Sequence, residues 1–262
     1  MQKEEQLLEK RLIELSRLAY NRSIITYTDF LNLNELNILQ SIPKDTLYSR
    51  YITFGGYDMA ERQMAAFLPD ALSLRADTEK NELKELFTDE LSVLRMTPLN
   101  KKYAEELSHR DYLGAILNLG IDRSKTGDIL VNGNNAVVFV RSHLSSFLTE
   151  ELTRIRHTSV LSSIEPLQTF DYEPRFEEIK GTVASVRLDS LLALAFSSSR
   201  SKLSGLIEGG KVFVNGKLMT SNGYQVKEVD IISVRGMGKF QYREQISVTK
   251  KNRIYVLIYK YI

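Results

Sequence analysis

Between Arg187 and Lys217 the chain reads RLDSLLALAFSSSRSKLSGLIEGGKVFVNGK, and its cations stand where a fold would need an anion from outside. Leu188, Leu191, Leu192 and Ala195 recur at i, i+3, i+4 and i+7, which predicts a helix with one apolar face and leaves Arg187 and Asp189 off it. Ser197, Ser198 and Ser199 break that helix. Ser199 is the N-cap expected for a second one, with Leu203, Leu206 and Ile207 as its buried stripe and Gly209-Gly210 as its stop. Arg200 and Lys202 then fall in its first turn. A helix N-terminus carries a partial positive charge and favours anions, so two cations there call for an external anion. Val212 and Val214 alternate with Lys211 and Phe213, and Asn215-Gly216 supplies a type I′ turn, so Lys211 and Lys217 flank a tight hairpin. Such a group can meet a phosphate from several sides.

Further along, RGMGKFQYRE repeats the theme. Gly236 and Gly238 would let the backbone approach a phosphate chain, Arg235, Lys239 and Arg243 supply charge, and Phe240 or Tyr242 offer stacking surfaces. A glycine-kinked hairpin with basic residues facing solvent fits the same residues. Near the middle of the chain, His109, Arg110, Asp111 and Tyr112 invite an acid–base reading. Residues i and i+2 of a helix do not face each other, however, so helix capping with surface contact is the better reading. His109, Arg110, Arg123 and Lys125 together form a candidate second contact surface for nucleic acid. His143 and His157 are isolated, no clustered metal ligands are present, and neither a catalytic group nor a cofactor site is expected.

The charge distribution agrees with the first group. Residues 1–180 hold 22 Lys+Arg and 28 Asp+Glu, whereas residues 181–262 hold 13 and 5. A basic module on an acidic body is the electrostatic footprint of nucleic-acid binding confined to one end. With no cysteine there is no disulfide, thiolate metal site or Cys nucleophile. No segment reaches the roughly 18 apolar residues of a membrane span, and the charged start MQKEEQLLEK does not resemble a signal peptide. A cytoplasmic protein with no membrane partner is expected.

The elements that must position these residues can be read in order. Leu8, Leu12, Leu15 and Ala19 stripe an amphipathic helix; Thr28-Asp29 and Asn34-Glu35 suggest two further short helices, the last ended by Pro43, and no sheet is expected before residue 76. Gly55-Gly56, between aromatic residues, indicates a tight structural turn and lacks the Gly-Lys-Ser/Thr ending of a phosphate loop. From Leu91 the order is strand (91–97), helix opened by Ser108 and Asp111, a strand pair (128–132 and 136–140) joined at Gly133-Asn134-Asn135, helix (144–154) and strand (159–164). Gly114 within the first helix suggests close packing against a strand. This βαββαβ order is the ferredoxin-like plan shared by RNA-recognition motifs (RRMs), although only Phe139 stands where those motifs place their aromatic residues. The expected class is α+β: a mainly helical region at 1–76, a ferredoxin-like middle domain at 77–165, an acidic linker at 166–180 and a small α/β domain at 181–262.

Two resemblances sharpen the reading. The RLD start, the Ser-Arg pair opening the second helix, the basic residue after two glycines and V-x-V-N-G-K resemble the alpha-L RNA-binding domain, named after small ribosomal subunit protein S-four. One position departs: that family usually carries Gly-Asp before its last strand, where this chain has Val229-Asp230. The blocks FGGYDMAERQMAAFLP (54–69) and LSHRDYLGAILNLGIDRSKTGDILV (107–131), followed by the C-terminal domain, resemble the bacterial YlmH family over nearly the whole chain, with Ser108 in place of an expected Thr.

The resemblance implies a non-catalytic RNA-binding protein that associates with ribosomal RNA and tRNA on the large ribosomal subunit. There it would handle stalled peptidyl-tRNA in ribosome-associated quality control, alongside other quality-control proteins. Some members carry a cell-division label. Arg187, Arg200, Lys202, Lys211 and Lys217 would hold phosphates, with Asp189 and Asn215 orienting neighbours or contacting ribose. The alternatives are an RNA-modifying enzyme of the pseudouridine synthase type, since such enzymes carry the same small domain, and a cell-division scaffold.

Overall fold

In a computed structural model, which describes residues 3–73 and 80–262, the striped N-terminal segment forms α1 (Lys3–Arg22), burying Leu12, Leu15 and Ala19. After β1 (Thr26–Tyr27) the chain enters α2 (Leu33–Ser41). Its cap is Asn32, whose side chain accepts from the amides of Asn34 and Glu35 while Glu35 returns a bond to the Asn32 amide. Thr28-Asp29 opens no helix: Thr28 lies against Ala65 through its amide and hydroxyl. The N-terminal region also contains a sheet the sequence did not predict, β1 with β2 (Tyr51–Phe54) and β3 (Met64–Phe67), in the order β1-β3-β2. These strands are four residues or shorter and β3 is buried throughout, so no alternation of polar and apolar residues betrays them.

Short helices α3 (Asp70–Ser73) and α4 (Lys80–Phe87) lead to the middle of the chain. There β4 (Leu91–Pro98), α5 (His109–Asn118), β5 (Thr126–Asn132), β6 (Asn135–Arg141), α6 (Ser145–Glu151), β7 (Arg154–Ile155) and β8 (Thr158–Glu165) follow the expected series. The sheet order is β5-β6-β4-β8-β7 with all neighbours antiparallel, the ferredoxin-like arrangement extended by one short strand. Gly133 and Asn134 alone turn the β5–β6 hairpin, since Asn132 pairs with Asn135. Leu94, Met96, Val138 and Val140 face α5 and α6. On the other side Leu91, Val93, Val137 and Phe139 pack with Phe30, Phe54 and Met64 of the N-terminal region, so both segments share one core within the unit Met1–Tyr172. The close packing inferred at Gly114 is absent: a Cβ there would meet nothing within 4 Å.

The second unit runs from Glu173 to Ile262. The stretch expected to link the domains is divided: Leu167 and Phe170 are buried in the first unit's core, while Phe176–Val183 is β9, paired along its length with β14 (Ile254–Tyr261). Acidic residues at exposed positions of an edge strand mimic a linker in composition. Between β9 and β14 come α7 (Leu188–Ala195), α8 (Arg200–Glu208), β10 (Val212–Val214), β11 (Lys217–Leu218), β12 (Ile231–Val234) and β13 (Gly238–Val248). They form a six-stranded antiparallel sheet, β11-β10-β12-β13-β14-β9. Leu188, Leu191, Leu192, Leu203 and Ile207 of the two helices pack on Val212, Ile232, Phe240, Tyr242, Val256 and Ile258.

Candidate nucleic-acid interface

Arg187 occupies the N-cap position of α7, and its Nε donates to Asp189 Oδ1 at 3.2 Å. Asp189 is 8% exposed, so its carboxylate works inside the domain as a positioning group that holds Arg187, which is itself about half exposed. Ser199 stands at the N-cap of α8, but its hydroxyl makes no capping bond and instead lies 3.3 Å from Ser201 Oγ. Arg200 and Lys202 in this first turn are exposed. Two exposed cations thus sit in the first turn of a helix whose N-cap side chain leaves the start amides uncapped, a combination suited to an oxyanion.

Lys211 and Arg235 are neighbours, because the Arg235 amide donates to the Lys211 carbonyl at 2.9 Å. Lys217, at the start of β11, opposes Val214 across the turn. That turn has φ of 49° at Asn215 and 80° at Gly216, the two positive values a type I′ hairpin needs. Asn215 spends both ends of its amide inside the domain: Nδ2 donates to Asp230 Oδ1 at 2.7 Å and Oδ1 accepts from the Ile231 amide at 2.9 Å. It therefore shapes the hairpin rather than presenting its amide to a ribose. Asp230 also accepts from the Lys227 amide, and Val229 beside it takes φ of 71° in place of the family's glycine.

Arg235, Lys239 and Arg243 form a different group. Each lies over an aromatic ring, of Phe213, Tyr261 and Tyr259 respectively, at 5.5, 5.9 and 5.0 Å. Phe240 and Tyr242, read from sequence as stacking surfaces, are 0% and 3% exposed and belong to the core beneath the helices. Strand alternation sends their odd-numbered neighbours Lys239 and Arg243 to the opposite face, where rings of β14 accompany them.

In the first unit the four residues of the candidate second surface divide. Arg123 donates through one Nη to the carbonyls of Thr126 and Gly127 and to the Thr126 hydroxyl; burial, reinforced by the charge of Arg62, lowers its pKa to about 10. Lys125 pairs with Asp29 at 2.7 Å. Both are committed to structure, whereas His109 and Arg110 are exposed in the first turn of α5. Asp111 Oδ2 accepts from the Ser108 amide and hydroxyl, and Oδ1 is paired with Arg156, so it is no acid–base partner for His109. Desolvation, aided by Arg123 and Arg110, lowers the pKa of His109.

The Gly55-Gly56 block is a clip, with Arg62 as its centre. Arg62 Nε donates to the Thr126 carbonyl at 2.9 Å, and Nη2 to the carbonyls of Phe30 and Arg123 at 2.9 and 3.1 Å. Asp128 accepts from the Tyr57 hydroxyl and from the amides of Glu61 and Arg62. A Cβ on Gly56 would lie 2.2 Å from the Phe139 ring. Phe139 itself is fully buried between Tyr57 and Phe170. The sheet face that RNA-recognition motifs use for base stacking is therefore filled here by protein, and Phe139 has no access to a base.

Residues 90–169 match the family described as the RNA-binding domain in YlmH, and residues 186–232 match the S4 domain. Over 257 residues the chain is 28% identical to ribosome-associated protein quality control protein P2 of Bacillus subtilis (strain 168), covering 96% of this chain and 93% of the relative. A solved structure, cell division protein ylmH from Streptococcus pneumoniae, is similar at 21% identity and a TM-score of 0.49, over 65% of this chain and 97% of that one. On the sequence matches, the chain carries a YlmH-type RNA-binding domain at residues 90–169 and an S4 domain at 186–232, and it is similar to a YlmH-like relative along nearly its whole length.

Proposed function

We propose that this chain is a non-catalytic RNA-binding adaptor that engages ribosomal RNA and peptidyl-tRNA on the large ribosomal subunit in ribosome-associated quality control. The observation that carries the reading is the cations at the two helix starts of the S4 domain: Arg200 and Lys202 are exposed in the first turn of α8, whose N-cap side chain makes no capping bond, and Arg187 at the start of α7 is held by a buried Asp189. Phosphate contacts of this kind position a protein without reading bases, so selectivity comes from the shape of folded RNA. The name of the B. subtilis relative, matched along almost its whole length, supports the quality-control role. A catalytic reading finds little support. The carboxylate nearest His109 in sequence is engaged by Ser108 and Arg156.

The test is quantitative binding to purified large subunits, with and without peptidyl-tRNA, comparing the intact protein with an Arg200→Ala, Lys202→Ala double variant. The proposal expects a folded variant with markedly weaker and less salt-dependent binding. Unchanged affinity would remove the helix starts of the S4 domain as the contact.

A further inference from the structure

Strands β9, β13 and β14 lie outside residues 186–232, the part of the second unit that matches the S4 domain, and a basic turn joins the last two. In Thr249-Lys250-Lys251-Asn252-Arg253 the Thr249 amide donates to the Arg253 carbonyl at 2.8 Å and the Asn252 amide to the Thr249 carbonyl at 2.9 Å, with Asn252 at a φ of 57°. Arg253 ties the turn to β9, its Nη2 donating to the Thr182 carbonyl at 2.8 Å. Lys250 and Lys251 are thus the outward corners of a fixed turn, exposed and without an ion pair among the described residues.

Three stretches far apart in sequence meet around this turn. Val183, ending β9, pairs with Ile254 beside it, and Arg187 follows four residues later, at most about 14 Å of chain. Loop 219–227 is tied to the same connection: the Val226 amide donates to the Val186 carbonyl at 3.1 Å and the Leu188 amide to the Tyr224 carbonyl at 2.9 Å. A Cβ on Gly223 would lie 3.9 Å from the Arg187 guanidinium, so the arginine runs across that loop. Just beyond the loop, Glu228 accepts from the Gln245 amide of β13 at 3.3 Å. Residues 181–187, 219–227 and 245–255 together hold Arg187, Lys227, Lys250, Lys251 and Arg253 and no Asp or Glu. The acids after residue 180 border these stretches or lie away from them. Asp189 holds Arg187, Glu208 accepts from Asn222, and Asp230 accepts from Asn215. Glu244 stands opposite Leu257, three residues along β14 from Ile254.

We propose that the β13–β14 turn is an RNA-backbone contact added to the S4 domain, in which Lys250 and Lys251 hold phosphates of the same RNA segment that Arg187 and Lys227 meet. A turn that served only solubility would need cations, but not the exclusion of carboxylates from three stretches that folding alone brings together. A polyanion needs both. Lysine is a point charge on a flexible stem, so these contacts add affinity and orientation and read no bases. The inference rests on the RNA-binding reading of the S4 domain but not on the contact made by Arg200 and Lys202.

The test uses the full-length protein and purified large-subunit RNA freed of ribosomal protein. A Lys250→Gln, Lys251→Gln double variant removes two cations that hold nothing in the fold, so its unfolding midpoint should equal the parent's. Loss of two phosphate contacts should make the slope of log affinity against log salt shallower by about 1.4–1.8; from about 50 to about 200 mM salt the parent should then lose about 7- to 12-fold more affinity than the variant. A Lys10→Gln, Lys44→Gln variant, which removes two exposed lysines of the first unit, should keep the parent slope. An unchanged slope in the turn variant, or the same change in both variants, overturns the proposal. Binding of polyglutamate that depends on the turn as strongly as RNA binding does also overturns it, and marks the turn as a contact for an acidic protein. The Arg200→Ala, Lys202→Ala variant separates this proposal from the reading beneath it. If only the turn variant changes the slope, the turn stands and the helix starts fall; if the parent binds no large-subunit RNA, the RNA-binding reading fails and the turn's role with it.

Discussion

Replacing Val229 by glycine should make the protein more stable. Val229 holds φ of 71° with its amide donating to the Tyr242 carbonyl at 2.7 Å and its carbonyl accepting from Gln241 Nε2 at 3.1 Å. The residue cannot relax, because Asp230 next to it is anchored to Asn215 and to the Lys227 amide. An L-residue in the left-handed region costs roughly 1–2 kcal/mol, and a β-branched one is unusual there. Glycine gives back about 0.5–1 kcal/mol through its greater freedom in the unfolded chain. At 57% exposure the valine contributes little burial, which leaves a net gain of about 0.5–1 kcal/mol for Val229→Gly. The C-terminal unit, Glu173 to Ile262, spans 90 residues, and for that size 1 kcal/mol moves the midpoint by about 4–8 °C, so a rise of about 2–8 °C is expected. Thermal unfolding followed by circular dichroism reads the midpoint, and hydrogen exchange at the Val229 and Tyr242 amides reads the turn itself. Val229→Ala, which keeps a Cβ, should recover only part of the gain. A Val229→Gly protein that melts at or below the parent temperature, with faster exchange at Tyr242, would show that the turn is unstrained and the reasoning wrong.

Three further outcomes are expected. Gly56→Ala places a Cβ 2.2 Å from the Phe139 ring at a φ of 100°, and should cost at least about 3 kcal/mol in urea unfolding through overpacking and backbone strain together. Arg62→Met leaves the carbonyls of Phe30, Arg123 and Thr126 short of a donor and should lose about 3–5 kcal/mol by the same measurement, while large-subunit binding by the folded fraction is retained. His109 has its pKa lowered in the fold, so as pH falls below about 6.5 the unfolded chain takes up the proton first and stability is lost. His109→Gln should flatten that part of the pH profile, as read by denaturant midpoints between pH 7.5 and 5.

What was legible in the chain was local and periodic. The helix stripe at Leu188, Leu191, Leu192 and Ala195, the Asn215-Gly216 turn and the βαββαβ order each follow from a few neighbouring residues, and the structure has all three. The helix opened by Ser108 and Asp111 was legible for the same reason. What escaped was decided by partners distant in sequence. Met64–Phe67 looks like no strand because both its faces are covered. Phe176–Lys180 reads as linker because its pairing partner, β14, lies at the other end of the domain. Among the candidate contacts, Arg123 and Lys125 have the type and spacing of an RNA patch, yet backbone carbonyls and Asp29 claim them. The stacking of Phe176 on Tyr259, 83 residues away, likewise leaves no local trace.

The shared core of the first unit also constrains how the protein is made. Synthesis delivers Phe30, Phe54 and Met64 long before Phe139 and Phe170, the residues that cover them. At about 5–20 residues per second, the 72 residues from Phe67 to Phe139 take about 4–14 s to appear. During that interval the N-terminal segment can bury Leu12, Leu36 and Phe67 in a cluster of its own but has no surface to cover Phe30, Phe54 and Met64, whereas the C-terminal unit, whose core draws on residues from Val183 to Ile258, can close as soon as it emerges. An N-terminal fragment released early would expose those aromatic side chains, and the first unit completes as a whole only once residue 170 has emerged.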